Sequence, residues 1–163
     1  MMKYPDAETL IQKFQLTSYI IHRQTEGITN EESVVQPPVR GNCMNWILGH
    51  ILTERNYILK LLGCEPVLTQ SETERYQRES EPVKVFTDGL PFDQLMAKLE
   101  LSQQLIEEGL KTITLERLAE MAEAGTRNDQ VGALIAYIHW HETYHTGQFE
   151  LLRQLAGKND KVI

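Results

Sequence analysis

Four long segments of the sequence repeat apolar residues at intervals of three and four, which is the spacing of one face of an α-helix. Alternating patterns that predict β-strands are almost absent, and the one short candidate, residues 82–86, is too short to build a sheet. Glycines and prolines fall between the helical segments. We therefore predict an all-α fold, a four-helix bundle.

The predicted helices cover residues 6–26, 42–62, 91–113 and 128–157. Asp6 is a candidate N-cap of the first helix, and Asn42 or Asn45 of the second. A long crossover, residues 64–89, joins the second helix to the third, and a short extra helix, residues 115–123, precedes the fourth. No linker or repeat divides the chain, so residues 1–163 are predicted to form a single domain.

The charge balance excludes some classes of partner. The chain has 23 acidic and 16 basic side chains, which gives a net charge of −7. A negative balance of this size argues against binding to nucleic acid or to anionic lipid. No apolar run is long enough to cross a membrane. The only two cysteines, Cys43 and Cys64, cannot supply a disulfide framework, so we expect a cytoplasmic protein in a reducing compartment.

The fourth predicted helix has two histidines on its apolar face. That face reads Val131, Leu134, Ile138, His141, His145, Phe149 and Leu152. A spacing of four residues stacks His141 and His145 one turn apart, so both rings can reach one metal ion at about 2.0–2.1 Å from each. His139 falls off this face, and we expect it, like His22, at the surface or at an edge of the bundle.

The second predicted helix also has polar residues on an apolar face. That face reads Cys43, Ile47, His50, Ile51, Glu54, Tyr57, Ile58 and Leu61. Burying Glu54 without a partner would cost several kcal/mol, because a carboxylate resists leaving water. A divalent metal held by His50, His141 and His145 would balance the charge, with Glu54 as a fourth ligand or as a hydrogen-bond acceptor behind the ligands.

Each of these residues also has an ordinary structural interpretation. A single histidine such as His50 on an apolar face is most often a hydrogen-bonded core residue, and Glu54 by itself would more often bridge to a lysine or arginine. Trp46 and Trp140 are typical of packing between helices, although either could wall a pocket. The metal hypothesis depends on the coincidence of polar residues on two helix faces that a bundle would bring together.

The two histidine segments resemble a known family. Residues 137–148, which contain His141, His145, Gly147 and Gln148, resemble the H-x-x-x-H-x-G-Q signature of the DinB/YfiT-like metalloenzymes. Residues 44–51, which read MNWILGHI, resemble the segment that carries the first ligand of that family. The order of the segments fits the family along essentially the whole chain.

The resemblance implies a bundle with one divalent metal ion, most often nickel or zinc, bound by His50, His141 and His145. It also implies that Gly147 permits close approach of a helix and that Gln148 orders the site by hydrogen bonding. Thr146 stands where many members have arginine, and Tyr137 where many have another histidine. These two departures leave the substrate contacts open.

The activity suggested by the resemblance is that of a thiol-dependent S-transferase in detoxification or the stress response. Such an enzyme would act on a small-molecule substrate with a low-molecular-weight thiol. A metal-dependent hydrolase that uses the same site is an alternative, with Glu54 as the catalytic base that activates water. A third possibility is a non-catalytic, metal-binding dimeric bundle. The resemblance also implies a homodimer.

Overall fold

Helices make up most of residues 4–162, the part of the chain that the structure, a computed structural model, describes. In chain order the elements are α1 (Ala7–Thr25), α2 (Asn30–Ser33), α3 (Met44–Leu61), α4 (Gln70–Tyr76), α5 (Phe92–Thr112), α6 (Leu115–Ala119), β1 (Met121–Ala124), β2 (Arg127–Gln130), α7 (Val131–Thr146) and α8 (Gln148–Leu155). A 3₁₀ turn, Phe86–Asp88, precedes α5. The all-α prediction is confirmed, with one small hairpin added to it.

The four long helices form the predicted bundle. Helices α1 and α3 each pack against both α5 and α7, so the apolar faces of all four meet along one axis. The side chains at the centre are almost fully buried; they include Leu10, Phe14, Leu48, Leu52, Leu95, Leu99, Leu134 and Ile138. Helix α3 is buried on nearly every side, as its sequence of few charged residues permits. None of the helices in the described ranges is both long and apolar enough to span a bilayer.

The start of α1 follows the sequence prediction and the start of α3 does not. Asp6 caps α1, and its side chain accepts a hydrogen bond from the backbone N–H of Thr9 at 2.7 Å. Helix α3 begins after Cys43, which makes no side-chain cap. Asn45 is instead buried inside the first turn, where its amide donates to the carbonyl of Leu90 and accepts from the hydroxyl of Tyr76. The asparagine thus anchors the crossover rather than the helix end.

The crossover from α3 to α5 contains structure of its own. Helix α4 begins with a capping box, in which Thr69 and Glu72 satisfy each other's backbone N–H groups. Residues 82–86, the one strand candidate, form no strand and lead into the 3₁₀ turn. The crossover therefore packs α4 against α3, on the side of the bundle where His50 lies.

A β-hairpin stands where a longer extra helix was predicted. Helix α6 ends at Ala119, and β1 and β2 pair antiparallel from Met121 opposite Gln130 to Ala124 opposite Arg127. The two residues between the strands begin with Gly125, whose φ of 59° is the left-handed conformation that a tight hairpin turn requires. The hairpin contacts both α3 and α7, and α7 starts at Val131 directly after it.

Candidate metal centre

Three histidines from α3 and α7 converge at one side of the bundle. A potential ligand nitrogen from each of His50, His141 and His145 lies within 4.8 Å of the other two. The rings are steeply inclined to each other, with centroids 4.5–5.2 Å apart. In the described part of the chain, no other His, Cys, Asp or Glu belongs to a group of this kind. The structure therefore brings together the three residues selected from the sequence.

Packing and a hydrogen bond fix the ring of His50. Its Nδ1 lies 2.9 Å from the carbonyl oxygen of Tyr76 and must donate to it, because a carbonyl only accepts. The indole of Trp46 stacks on the imidazole at 4.9 Å between centroids. Gly49 allows Tyr76 to come close: a Cβ at this position would lie 2.2 Å from the tyrosine ring. These contacts of Trp46 and Tyr76 with His50 and Gly49 orient Nε2 of His50 towards α7.

The two histidines of α7 are oriented differently from each other. Nδ1 of His145 donates to Oε1 of Gln148 at 2.8 Å, as expected for the ordering role of Gln148. Nε2 of His145 lies 3.2 Å from Nε2 of His141, whose own Nδ1 is buried without a hydrogen-bond partner. Gly147, where α7 gives way to α8, does not bring a second helix close, since a side chain there would meet only ordinary contacts at 3.6 Å or more.

Burial keeps the three imidazoles neutral. It lowers the pKa of both His50 and His141 to about 4, and the nearby histidines add charge repulsion in the same direction. Burial also lowers the pKa of His145, against the opposing effect of its hydrogen bond to Gln148. Neutral imidazole is the form that binds metal ions.

This set of donors fits a divalent metal. On His50 and His145 the outward hydrogen bonds place the proton on Nδ1, so each neutral ring turns the lone pair of Nε2 towards the centre of the group. A tetrahedral ion about 2.1 Å from each ligand holds its ligands roughly 3.4 Å apart, close to the separation of the Nε2 atoms of His141 and His145. Imidazole nitrogens suit zinc and nickel among the common metals.

A cleft of about 300 Å³ opens beside the histidines. His50, His141 and Glu54 line it, together with Tyr57 and Tyr137. Glu54 is half-buried, and burial is the one cause that raises the pKa of its carboxyl. Glu54 does not belong to the close group of ligand atoms, which leaves it available as a proton acceptor at the wall of the cleft.

The sequence reasoning missed a second polar cluster beside the histidines. Arg55 and Glu142 are fully buried and form a bidentate ion pair, with N–O distances of 2.7 and 2.8 Å. The remaining N–H groups of Arg55 donate to Ser18 Oγ, Ser102 Oγ and the carbonyl of Leu99. A signal was present: Arg55 lies in the middle of α3, a helix with only two other charged residues, Glu54 and Lys60.

Two other side chains, His139 and Trp140, depart from expectation. His139 is buried rather than at the surface, with its ring edge-on to Phe14 at 4.8 Å between centroids. Trp140 is exposed and does not pack between helices, whereas Trp46 is buried against the site.

A larger groove of about 590 Å³ lies between α1 and α5, but it contains no group of metal-ligating residues among those described.

Comparison with known proteins agrees with this arrangement. The sequence profile of the DinB superfamily matches residues 17–149, a stretch that contains all three histidines. The chain belongs to the DinB superfamily. None of the curated proteins matches the sequence.

A solved structure has a similar fold. It is described as the crystal structure of a conserved protein from Enterococcus faecalis, and it superposes on this chain with a TM-score of 0.70. The identity is 17%, and the match covers 91% of this chain and 95% of that one. At this identity the likeness concerns the fold alone.

Proposed function

We propose that this DinB-superfamily protein is a metal-dependent enzyme that transfers a small thiol to an electrophile. The observation that carries the proposal is the group of three neutral imidazoles, two of which, His50 and His141, line a cleft. A purely structural metal site is closed by its protein ligands, whereas a catalytic one keeps a position open towards substrate. A cleft of about 300 Å³ has room for a small thiol and its reaction partner.

His50, His141 and His145 would hold the metal through their Nε2 atoms. When bound, a divalent cation of this kind lowers the pKa of a thiol or of water that reaches it. Nickel and zinc are the metals that we propose.

Glu54 would take the proton that the thiol loses. Its carboxyl lies in the same cleft, and burial has raised its pKa, which makes it a better base than an exposed glutamate. The sulfur then forms a bond to the electrophilic atom of the substrate while the bond to the leaving group breaks. The leaving group departs with the electron pair and takes up the proton from Glu54.

A metal-dependent hydrolase is the second candidate, and the environment of Glu54 supports it equally. Within residues 4–162, the Glu54 carboxylate forms no ion pair or hydrogen bond, so it is free to accept a proton from water as readily as from a thiol. The two reactions differ in the nucleophile and use the same residues.

Metal content and thiol dependence test these proposals. Protein expressed without an affinity tag is expected to contain close to one metal ion per chain by elemental analysis, and His141→Ala is expected to remove it. The metal-loaded protein is then assayed with a chromogenic electrophile and a panel of low-molecular-weight thiols. Turnover that requires a thiol supports the transferase, and turnover without one supports the hydrolase. Absence of metal after growth in metal-rich medium would contradict both.

Glu54→Gln separates a catalytic base from a ligand. The amide cannot accept a proton as a base, so the rate is expected to fall by about 10²–10⁴-fold while the bound metal remains. Loss of metal in this variant would show instead that Glu54 is a ligand. Full activity with metal retained would exclude both roles.

We also propose a cytoplasmic homodimer. Large apolar side chains are exposed on α1, α7 and α8: Leu16, Tyr19, Trp140, Tyr144 and Leu151. The two cysteines are free, as a reducing compartment would leave them. Sedimentation of the wild type and of a Leu16→Glu variant tests the dimer, which is expected to dissociate in the variant; a monomeric wild type would contradict it.

A further inference from the structure

The hairpin brings an arginine to the mouth of the metal-site cleft. Arg127, the first residue of β2, lines the cleft together with Gly125 and Thr126 of the turn. Its guanidinium lies over the ring of Tyr137, with Cζ 3.5 Å from the ring centroid. The turn also lies against the ring of Tyr57 of α3. The hairpin thus spans the two helices that carry the histidines.

No acidic side chain within residues 4–162 pairs with Arg127. Among the described residues its guanidinium takes part in no ion pair or hydrogen bond. Asp129, two positions along the same strand, accepts from the backbone N–H of Gln130 instead. Glu54 is the acidic residue of the cleft, and burial alone determines the shift in its pKa, with no contribution from a nearby positive charge. Arg78, the other arginine of the cleft, pairs with Glu79 at 3.7 Å.

The stacking on Tyr137 leaves the donors of Arg127 available. A guanidinium presents its N–H groups in its own plane, so a ring that covers one face leaves the edge open to a carboxylate or phosphate. The aromatic contact also limits the rotamers of the side chain, which reduces the entropy lost on binding. The protein as a whole carries a charge of −7, so attraction of an anion to this cleft depends on a local cation.

Arg127 is within reach of a molecule bound at the histidines. Tyr137 precedes His141 by one helical turn, which is about 6 Å along α7. We infer that Arg127 is the specificity-determining residue of the cleft and that it binds a carboxylate or other oxyanion on the thiol substrate, whose sulfur lies at the metal centre. This inference rests on the proposed function and adds the charge of the substrate to it.

A pair of thiols that differ only in charge tests the inference. Mercaptohexanoate and mercaptohexanol are titrated by calorimetry into the zinc-loaded protein. The acid is expected to bind about tenfold more tightly than the alcohol, because the ion pair with Arg127 is partly exposed to water. In Arg127→Gln the two dissociation constants are expected to become equal within about twofold, with that of the alcohol unchanged.

Two further variants distinguish a specific contact from a general effect of charge. Arg78→Gln removes the same charge from the same cleft, and is expected to keep the preference for the acid because Arg78 is already paired. Arg127→Lys keeps the charge but loses the planar fork, and is expected to keep only part of the preference. Equal binding of acid and alcohol by the wild type would overturn the inference, and so would a loss of preference in Arg78→Gln as large as in Arg127→Gln.

Failure of the inference can be told from failure of the proposed function. Zinc stoichiometry and binding of the neutral alcohol report on the thiol site, and the ratio of acid to alcohol reports on Arg127. If neither thiol binds the zinc-loaded protein, the transferase proposal fails. Succinate and its monoamide succinamate then test Arg127 alone: tighter binding of succinate that Arg127→Gln abolishes supports the anion site, and equal binding overturns it.

Discussion

Two polar clusters lie next to each other inside the bundle, and they differ in how far their hydrogen bonds are satisfied. In one, all five N–H groups of Arg55 have an acceptor, two of them on Glu142. In the other, His141 has a buried nitrogen without a partner, and its second nitrogen lies 3.2 Å from that of His145. Glu142 and His141 are neighbours in sequence, so one turn of α7 contributes to both.

The difference indicates what each cluster does. The hydrogen bonds of the Arg55–Glu142 pair involve all four long helices. Arg55 of α3 donates to Glu142 of α7 and to one serine each of α1 and α5, and Thr17 of α1 also donates to Glu142. A buried network that is complete in itself fixes the packing of the helices around it. His50 and His145 are held in place by hydrogen bonds to groups outside the cluster and direct lone pairs inward, as metal ligands do. The first cluster therefore holds the helices in register, and the second is prepared for a ligand.

The largest effect on stability is expected when one half of the ion pair is removed. Glu142→Leu leaves the Arg55 charge buried and unpaired, and is expected to lower the free energy of unfolding by about 3–5 kcal/mol. The double variant Arg55→Met with Glu142→Leu removes both charges and is expected to recover most of this loss. Urea denaturation of the metal-free proteins measures both values. A double variant no more stable than the single one would contradict the account.

Removal of a histidine is expected to have a large effect on metal binding and a small effect on folding stability. His141→Ala should weaken zinc binding by more than about 100-fold. Loss of the hydrogen-bond partner of a ligand already costs about 10–100-fold in metal affinity, and loss of the ligand itself costs more. The unfolding free energy of the metal-free protein should change by about 1 kcal/mol or less, because the lost ring is only partly buried and one of its nitrogens is unsatisfied. His139→Ala is the matched control on the same helix: it should keep zinc and lose stability. Zinc affinity that survives in His141→Ala would refute the assignment.

The histidine cluster also predicts a loss of stability in acid. In the folded protein His50 and His141 have pKa values of about 4, below the ordinary value of 6.5 that applies after unfolding. As the pH falls from 6.5 towards 4, the unfolded chain takes up protons that the folded one does not, so stability present above pH 6.5 is lost across this window. We expect a slope of about 1 kcal/mol per pH unit in the metal-free protein, allowing for partial exposure of His141. Denaturation at several pH values measures it, and the slope should decrease in a His50→Gln, His141→Gln variant.

A smaller effect on zinc binding is expected from Gln148, the hydrogen-bond acceptor of His145. Gln148→Ala removes the acceptor that fixes the tautomer of this ring, and should weaken zinc binding by about tenfold. Competition with a colorimetric chelator measures the affinity. Gln154→Ala, an exposed glutamine on α8, is the control and should leave the affinity unchanged.

The smallest effect is expected at the edge of the ion-pair network. Ser102→Ala removes one acceptor of Arg55, but the carbonyl of Leu99 still accepts from the same nitrogen. The unfolding free energy should fall by about 1 kcal/mol, with no change in zinc affinity. A change in zinc affinity would show that the two clusters are coupled rather than independent.

Local sequence patterns were sufficient to predict the four long helices of the bundle and the placement of His141 and His145 on one face of α7. Helical periodicity depends on residues three and four apart, and this information is contained in a short window. The same window gave Asp6 as a cap, because an N-cap bonds to a backbone N–H only three residues away.

The hairpin could not be predicted in this way. Residues 121–130 contain Ala, Glu, Asn, Asp and Gln, which are poor strand formers, and the glycine at position 125 is the only clear turn signal. The strands exist because Ala122 and Ala124 pack against the core, next to α3 and α7. Arg127 reaches the cleft as a consequence of that packing.

The sequence by itself determined that this chain forms a helical bundle with histidines on two facing helices, since periodicity and motif spacing are local properties. The tertiary structure decided which buried charges pair. Arg55 and Glu142 are 87 residues apart, and nothing local marks them as partners. It also decided that Glu54, next to that pair, has no partner among the described residues and faces the cleft, because burial and pairing depend on which side chains the whole fold brings together.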